Sequence, residues 1–152
     1  MSAVRIRAAR AEDAPEVARV LAGWVAETDW LPRVHPAGSE LEFARDLIGR
    51  GWVRVAEAGG EFAGFIARDG AEIQALYVAR PARGRGVGAR LLCEAQVAQD
   101  PLNLWVFQQN FAARRFYVRH GFHEVGRTDG AGNDEKLPDI RLQWRAQTEA
   151  VA

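Results

Sequence analysis

One α/β domain of the α+β kind, with about four helices flanking a mixed sheet that is antiparallel in its middle, is predicted by three features. The apolar period switches between 2 and 3.6 residues in the order β-α-α-β-β-β-α-β-α-β-β. Three strand-like runs lie between residues 52 and 78, parted by the turn pairs Gly59-Gly60 and Asp69-Gly70, which suit tight antiparallel hairpins. A glycine cluster, Gly84, Gly86 and Gly88, then stands between a strand and an amphipathic helix. The 152 residues read as a single domain, 1–152, of a size that buries roughly 68–70 % of its unfolded surface without staples.

Val4-Arg5-Ile6-Arg7 alternates and is the first strand. Glu12, Asp13 and Pro15 open a helix, with acids and a proline in its first turn. Its stripe is Val17, Val20, Leu21, Trp24 and Val25, at helical spacing. Trp30 to Ser39, interrupted by Pro32 and Pro36, is a loop. Ser39 and Glu42 are spaced as a capping box for a second helix whose buried side would be Phe43, Leu47 and Ile48. Strands follow at 52–56, 61–68 and 72–78. Leu91, Leu92, Ala95 and Ala98 make the stripe of a third helix, which Pro101 stops. Leu102 to Phe107 is a strand, Asn110 caps a helix reaching about His120, and Gly121 closes it. Phe122–Thr128 and Ile140–Trp144 are the last strands, joined by the polar loop 129–139.

Composition excludes several classes. Hydrophobic residues are 48 % and charged residues 26 % of the chain, as in soluble globular domains rather than disordered or collagen-like chains. No apolar run approaches the ~20 residues of a membrane span. Twenty basic residues balance twenty acidic ones, so a nucleic-acid partner recognised through phosphate neutralisation is not expected. Nineteen of those twenty bases are arginine, a bias read as genomic composition. Cys93 is the single cysteine; it sits in the third helix's apolar pattern and is expected to be buried. The first ten residues lack the apolar core of a secretion signal, which suggests a cytoplasmic protein. No histidine, cysteine and carboxylate cluster has metal-ligand spacing, so no metal is expected; His120 and His123 read as packing or surface residues.

The stretch Arg83-Gly84-Arg85-Gly86-Val87-Gly88-Ala89 carries the most chemistry. A helix start exposes unpartnered N–H groups and a partial positive charge. Glycines let a phosphate reach that backbone, and the arginines add forked donors. Such a site suits a pyrophosphate. It is not a Walker loop, which needs Gly-Lys-Ser/Thr, and G-x-G-x-G is not the dinucleotide spacing G-x-G-x-x-G.

Arg83-x-x-Gly86-x-Gly88 resembles the Q/R-x-x-G-x-G/A pyrophosphate loop of the GNAT acetyltransferases. Leu76-Tyr77-Val78-x-x-Pro81 resembles that family's fourth strand, and Asn110-x-x-Ala113-x-x-Phe116-Tyr117-x-x-x-Gly121-Phe122 resembles its later helix-to-strand signature. The pieces stand in the family's order, and the likeness covers roughly residues 4 to 145.

The resemblance implies a sheet whose fourth and fifth strands splay and admit the pantetheine arm of acetyl-CoA. It implies cofactor contacts at Leu76, Tyr77 and Val78, at Arg83, Gly84, Arg85, Gly86, Val87, Gly88 and Ala89, and at Asn110. An amine would attack the thioester directly, with a base for its proton and an acid for the leaving thiolate. Tyr117 matches the family's acid. Glu72, eleven residues before Arg83, matches the glutamate base of some histone-type members; period-2 alternation would put it on one face with Gln74, Leu76 and Val78. Asp134, Glu135, Asp139, Glu40 and Glu42 are rival bases. Trp30 and Glu135 fall in the loops expected to meet a small-molecule or peptide amine. A homodimer stays open. A non-catalytic acyl-CoA-binding module on the same scaffold is the competing reading.

Overall fold

The computed structural model describes residues 3–146. Seven strands form one sheet in the order β1-β2-β3-β4-β5-β7-β6. They are β1 (Val4–Ala8), β2 (Val53–Ala58), β3 (Glu61–Asp69), β4 (Glu72–Val78), β5 (Leu102–Phe107), β6 (His123–Thr128) and β7 (Asp139–Trp144). The helices are α1 (Ala14–Glu27), α2 (Ser39–Gly49), α3 (Val87–Ala98) and α4 (Phe111–Arg119). Element order and the antiparallel middle agree with the sequence reading. Among the described residues no helix is long and apolar enough to cross a membrane.

Each face of the sheet has its own core. On one face Leu91, Leu92 and Ala95 of α3 and Tyr117 of α4 pack against Ile66, Ile73, Leu104, Val106, Ile140 and Leu142. On the other, Val17 and Leu21 of α1 and Ala44 and Leu47 of α2 pack against Val53, Val55, Phe65, Ala67 and Ala75.

Strands β1 to β4 form antiparallel ladders, and β4 meets β5 in parallel. That meeting is brief. The strands register only at Glu72↔Asn103, with Asn103 N–H donating to Ala71 O at 2.8 Å. Beyond that point they diverge, so the facing main-chain groups further along β4 and β5 are not spent on each other.

Four local expectations are corrected. Ser39 is the first residue of α2 rather than its cap: Gly38, at φ +90°, holds the N-cap position and no side chain caps the helix. Phe43 is 47 % exposed, because the stripe that turns inward is Ala44 and Leu47. Cys93 is exposed, since the buried side of α3 is Leu91, Leu92 and Ala95. The alternation of β4 breaks at Gln74. There Ala67 pairs with Ala75 and Arg68 with Ile73, leaving Gln74 as the extra residue of a bulge. Ile73, Leu76 and Val78 consequently share the α3/α4 face while Ala75 and Tyr77 share the other, and Glu72 does not lie with Leu76 and Val78.

Candidate active site

A cavity of about 1060 Å³ occupies the opening between β4 and β5. Its walls combine β4 (Ile73 to Tyr77), β5 (Leu104 to Phe107), the start and middle of α4 (Asn110, Ala113, Tyr117), α1 (Leu21, Trp24, Val25), α2 with its preceding loop, and the β6–β7 loop. It thus passes from one face of the sheet to the other through the gap.

Tyr117 reaches this cavity from the α4 side and is only 8 % exposed. Packing against Phe122 (ring centroids 5.3 Å) and Phe116 (5.2 Å) fixes its ring. Burial raises the phenol above its ordinary value, with a smaller push from Tyr77, so the group is protonated at neutral pH. Tyr77 lines the opposite wall. Burial, with the charge of Glu135 second, pushes it up to about 12.

Asn110 caps α4: its Oδ1 accepts from Ala113 N–H at 3.2 Å. The side-chain NH₂ has no part in that bond, and the residue lines the cavity. Glu135 lines it too. Trp30 does not; it stacks edge-on against two residues that do, Trp24 (6.2 Å) and Phe107 (5.8 Å).

The glycine loop, residues 83–86, is exposed; it follows β4 in the chain, and neither Val78 nor any residue from Arg83 to Ala89 is on the cavity lining. Gly84 and Gly86 both have φ +78°, and nothing lies within 4 Å of where a Cβ would stand; the backbone dictates glycine there, with open space in front of it. The first intrahelical bond of α3 is Arg90 N–H to Gly86 O at 3.0 Å. The N–H groups of Val87, Gly88 and Ala89 precede it and are not used by the helix. A diphosphate fits this chemistry. The Arg83 side chain turns away from the loop, however, pairing with Glu27 at the end of α1 at 2.7 Å and donating from Nε to Val78 O at 3.3 Å.

Glu72 lies away from the cavity and pairs with an arginine. It sits where β4 and β5 still pair, is absent from the cavity wall, and both its oxygens accept from the Arg141 guanidinium. That bond raises Arg141 above its ordinary value. Arg141 in turn lies over Trp105, 5.2 Å from the ring centroid. The bulge at Gln74 explains the outcome: it turns Glu72 to the face that carries Arg141.

The wall also contains residues that sequence reasoning placed elsewhere or passed over: Trp24, Phe43, Asp46, Gln74 and Phe107. Helical periodicity assigned Phe43 to a core, and the bulge at Gln74 leaves no signature in sequence.

Residues 49–124 match the family described as acetyltransferase (GNAT) domain. The chain is 35 % identical over 148 residues to a probable N-acetyltransferase of Mycobacterium tuberculosis, covering 84 % of each. It is 32 % identical over 141 residues to the peptidyl-lysine N-acetyltransferase YiaC of Escherichia coli, covering 85 % of this chain and 90 % of the relative. The solution structure of apo-form YjaB from Escherichia coli superposes with a TM-score of 0.79 at 26 % identity, over 93 % of this chain and 97 % of that one.

Proposed function

The chain belongs to the GNAT acetyltransferase family and is an N-acetyltransferase; from that premise we propose that it moves the acetyl group of acetyl-CoA directly to a primary amine, a peptidyl lysine being the favoured acceptor. The observation that carries this reading is the gap between β4 and β5, paired only at Glu72↔Asn103; the unused N–H groups at the start of α3, the helix that follows β4 in the chain, support it. An extended pantetheine arm would complete the missing ladder along Leu76, Tyr77 and Val78. Its pyrophosphate would take the amides from Arg83 to Ala89, including those of Gly84, Arg85, Gly86, Val87 and Gly88, and Asn110 would donate its free amide proton to the arm.

Tyr117 is the acid of this mechanism. Held protonated by burial, it donates to the thiolate as the C–S bond breaks, while a main-chain N–H near Val78 stabilises the oxyanion. Glu72, bound on both oxygens by Arg141, is a brace at the closed end of the gap and not the base. Glu135 and the aromatic wall backed by Trp30 receive the acceptor. Two features favour a cationic amine. The cavity wall carries Glu40, Glu42, Asp46, Glu135 and Asp139 against Arg33 and His35, and YiaC is named a peptidyl-lysine N-acetyltransferase.

The test is acetyl-CoA-dependent thiol release with blocked-lysine peptides, free N-terminal peptides and small amines. Lysine peptides are expected to turn over with the highest kcat/KM. Preference for N-terminal α-amines would overturn the acceptor assignment, and binding of acetyl-CoA without transfer to any amine would overturn the proposed chemistry.

A further inference from the structure

Asp139, the first residue of β7, is the one buried polar or charged residue among the described residues, at 9 % exposure, and it lines the cavity beside Thr128, Asn133 and Glu135. Its two oxygens are held by hydrogen-bond donors from the β6–β7 loop and its flanks. Asn133 Oδ1 accepts from Leu137 N–H at 3.3 Å, which fixes the amide's orientation. Asn133 Nδ2 then donates to Leu137 O at 2.8 Å and to Asp139 Oδ2 at 3.2 Å. On the other oxygen, the Thr128 hydroxyl donates to Asp139 Oδ1 while accepting from Gly130 N–H at 3.0 Å.

A carboxylate buried in a cavity wall calls for a counter-cation. No side chain among the described residues provides one. Arg141 is committed to Glu72, Lys136 donates to Ala131 O at 2.8 Å, and His35 faces Asp134 at 3.6 Å. Arg33, the one arginine on the cavity wall, makes no ion pair with Asp139. Glu135, the other acid of this loop on the wall, adds to the negative potential. The loop is built to hold this arrangement: Gly130 has φ +88°, and a Cβ there would stand 2.3 Å from the backbone of Leu137.

We infer that Asp139 is the seat of the acceptor's ammonium group, binding it in the cavity and accepting its proton. This rests on the acetyltransfer reading above and adds its missing base. The ammonium gives one proton to Asp139, and the neutral amine attacks the thioester carbonyl carbon, forming the N–C bond. The tetrahedral adduct collapses with loss of the C–S bond, and Tyr117 protonates the departing thiolate. The second proton lost by nitrogen restores the tyrosine, and the proton on Asp139 passes to solvent. One proton is released per acetyl group transferred.

The test compares wild type with Asp139→Asn, Asn133→Ala and Thr128→Val, using a blocked lysine peptide from pH 6 to 9, with acetyl-CoA affinity measured by calorimetry. In Asp139→Asn, KM for the peptide should rise at least about 10-fold and kcat fall by about 10²-fold. The ascending limb of the pH profile should move toward the free amine's own pKa, and acetyl-CoA affinity should stay within about twofold. Asn133→Ala and Thr128→Val keep the carboxylate with one support fewer, and should show smaller KM increases with the limb in place. A folded Asp139→Asn with wild-type KM and profile overturns the inference. If that variant does not fold, wild-type KM in both supporting variants overturns it. Should wild type transfer acetyl to no amine, the functional reading fails separately, and calorimetry of the lysine peptide against its norleucine analogue still decides the site: the analogue binding wild type as tightly overturns it.

Discussion

Burial and the proposed acid role act in the same direction at Tyr117: the packing that fixes the ring also holds its proton. Tyr117→Phe should therefore leave acetyl-CoA affinity unchanged by calorimetry while lowering turnover by about 10²–10⁴-fold; equal turnover with chemistry rate-limiting removes the residue from the mechanism. Gly86 makes a different demand. Its φ of +78° costs a side chain roughly 1–2 kcal/mol, and in the proposed binding mode an acid there would face the phosphates. Gly86→Asp is expected to weaken acetyl-CoA binding by about 10²-fold or more, with Gly86→Ala in between, and equal affinities in folded variants would move the pyrophosphate elsewhere. Glu72→Gln tests the proposed brace. It should lower stability by no more than about 1 kcal/mol, as a partly exposed ion pair does, and leave the pH profile of turnover unmoved.

Among the elements, β4 has the most bearing on function. It must sit flush against β3, bulge at Gln74 and part from β5, all within the seven residues Glu72–Val78. The flush contact depends on Gly64, where a Cβ would stand 2.7 Å from Tyr77 O and 3.2 Å from Val78 Cα. Neither neighbour is the end of a flexible side chain, so the strands themselves must move. Gly64→Ala is expected to cost about 1–3 kcal/mol in urea unfolding, and to weaken acetyl-CoA binding because it displaces the wall of the gap. Wild-type values for both would show that β3 and β4 have slack. The bulge matters because it reverses which face each side chain meets. Without it Glu72 would point with Leu76 and Val78, as alternation predicts; with it, Arg141 receives the carboxylate.

The whole molecule is one sheet between two cores, and its first strand is tied to the rest by charge. Arg7 donates to both Asp13 oxygens, at 2.8 and 2.9 Å, and to Glu57 at 3.3 Å. The Arg7 guanidinium holds Asp13 below the usual carboxylate range. A carboxylate depressed on folding stabilises the native state above its unfolded value, near 3.9, and loses that contribution as pH falls through the folded value. Asp13→Asn should thus cost roughly 1–3 kcal/mol at pH 7, with the gap to wild type closing below about pH 4 in urea titrations. A gap that does not shrink at all as pH is lowered from 7 would assign the loss to packing. Because both cores share the sheet, the domain is expected to unfold as one unit, with tryptophan fluorescence and far-ultraviolet circular dichroism giving coincident transitions.

Element order, the hairpins at Gly59-Gly60 and Asp69-Gly70, and the positive-φ glycine turn before α3 were all legible in the chain, because each depends on near neighbours: apolar period, turn chemistry and glycine spacing. What only the tertiary structure decided are the partners of the acids. Glu72 meets Arg141 and Asp139 meets Asn133 through a bulge and a loop, across sequence separations or backbone turns that no local pattern encodes. Phe43 likewise exchanged a core for the cavity because helix α2 turned Ala44 and Leu47 inward. A carboxylate's role follows from the charge it faces and the water it loses, and both are properties of the packed molecule.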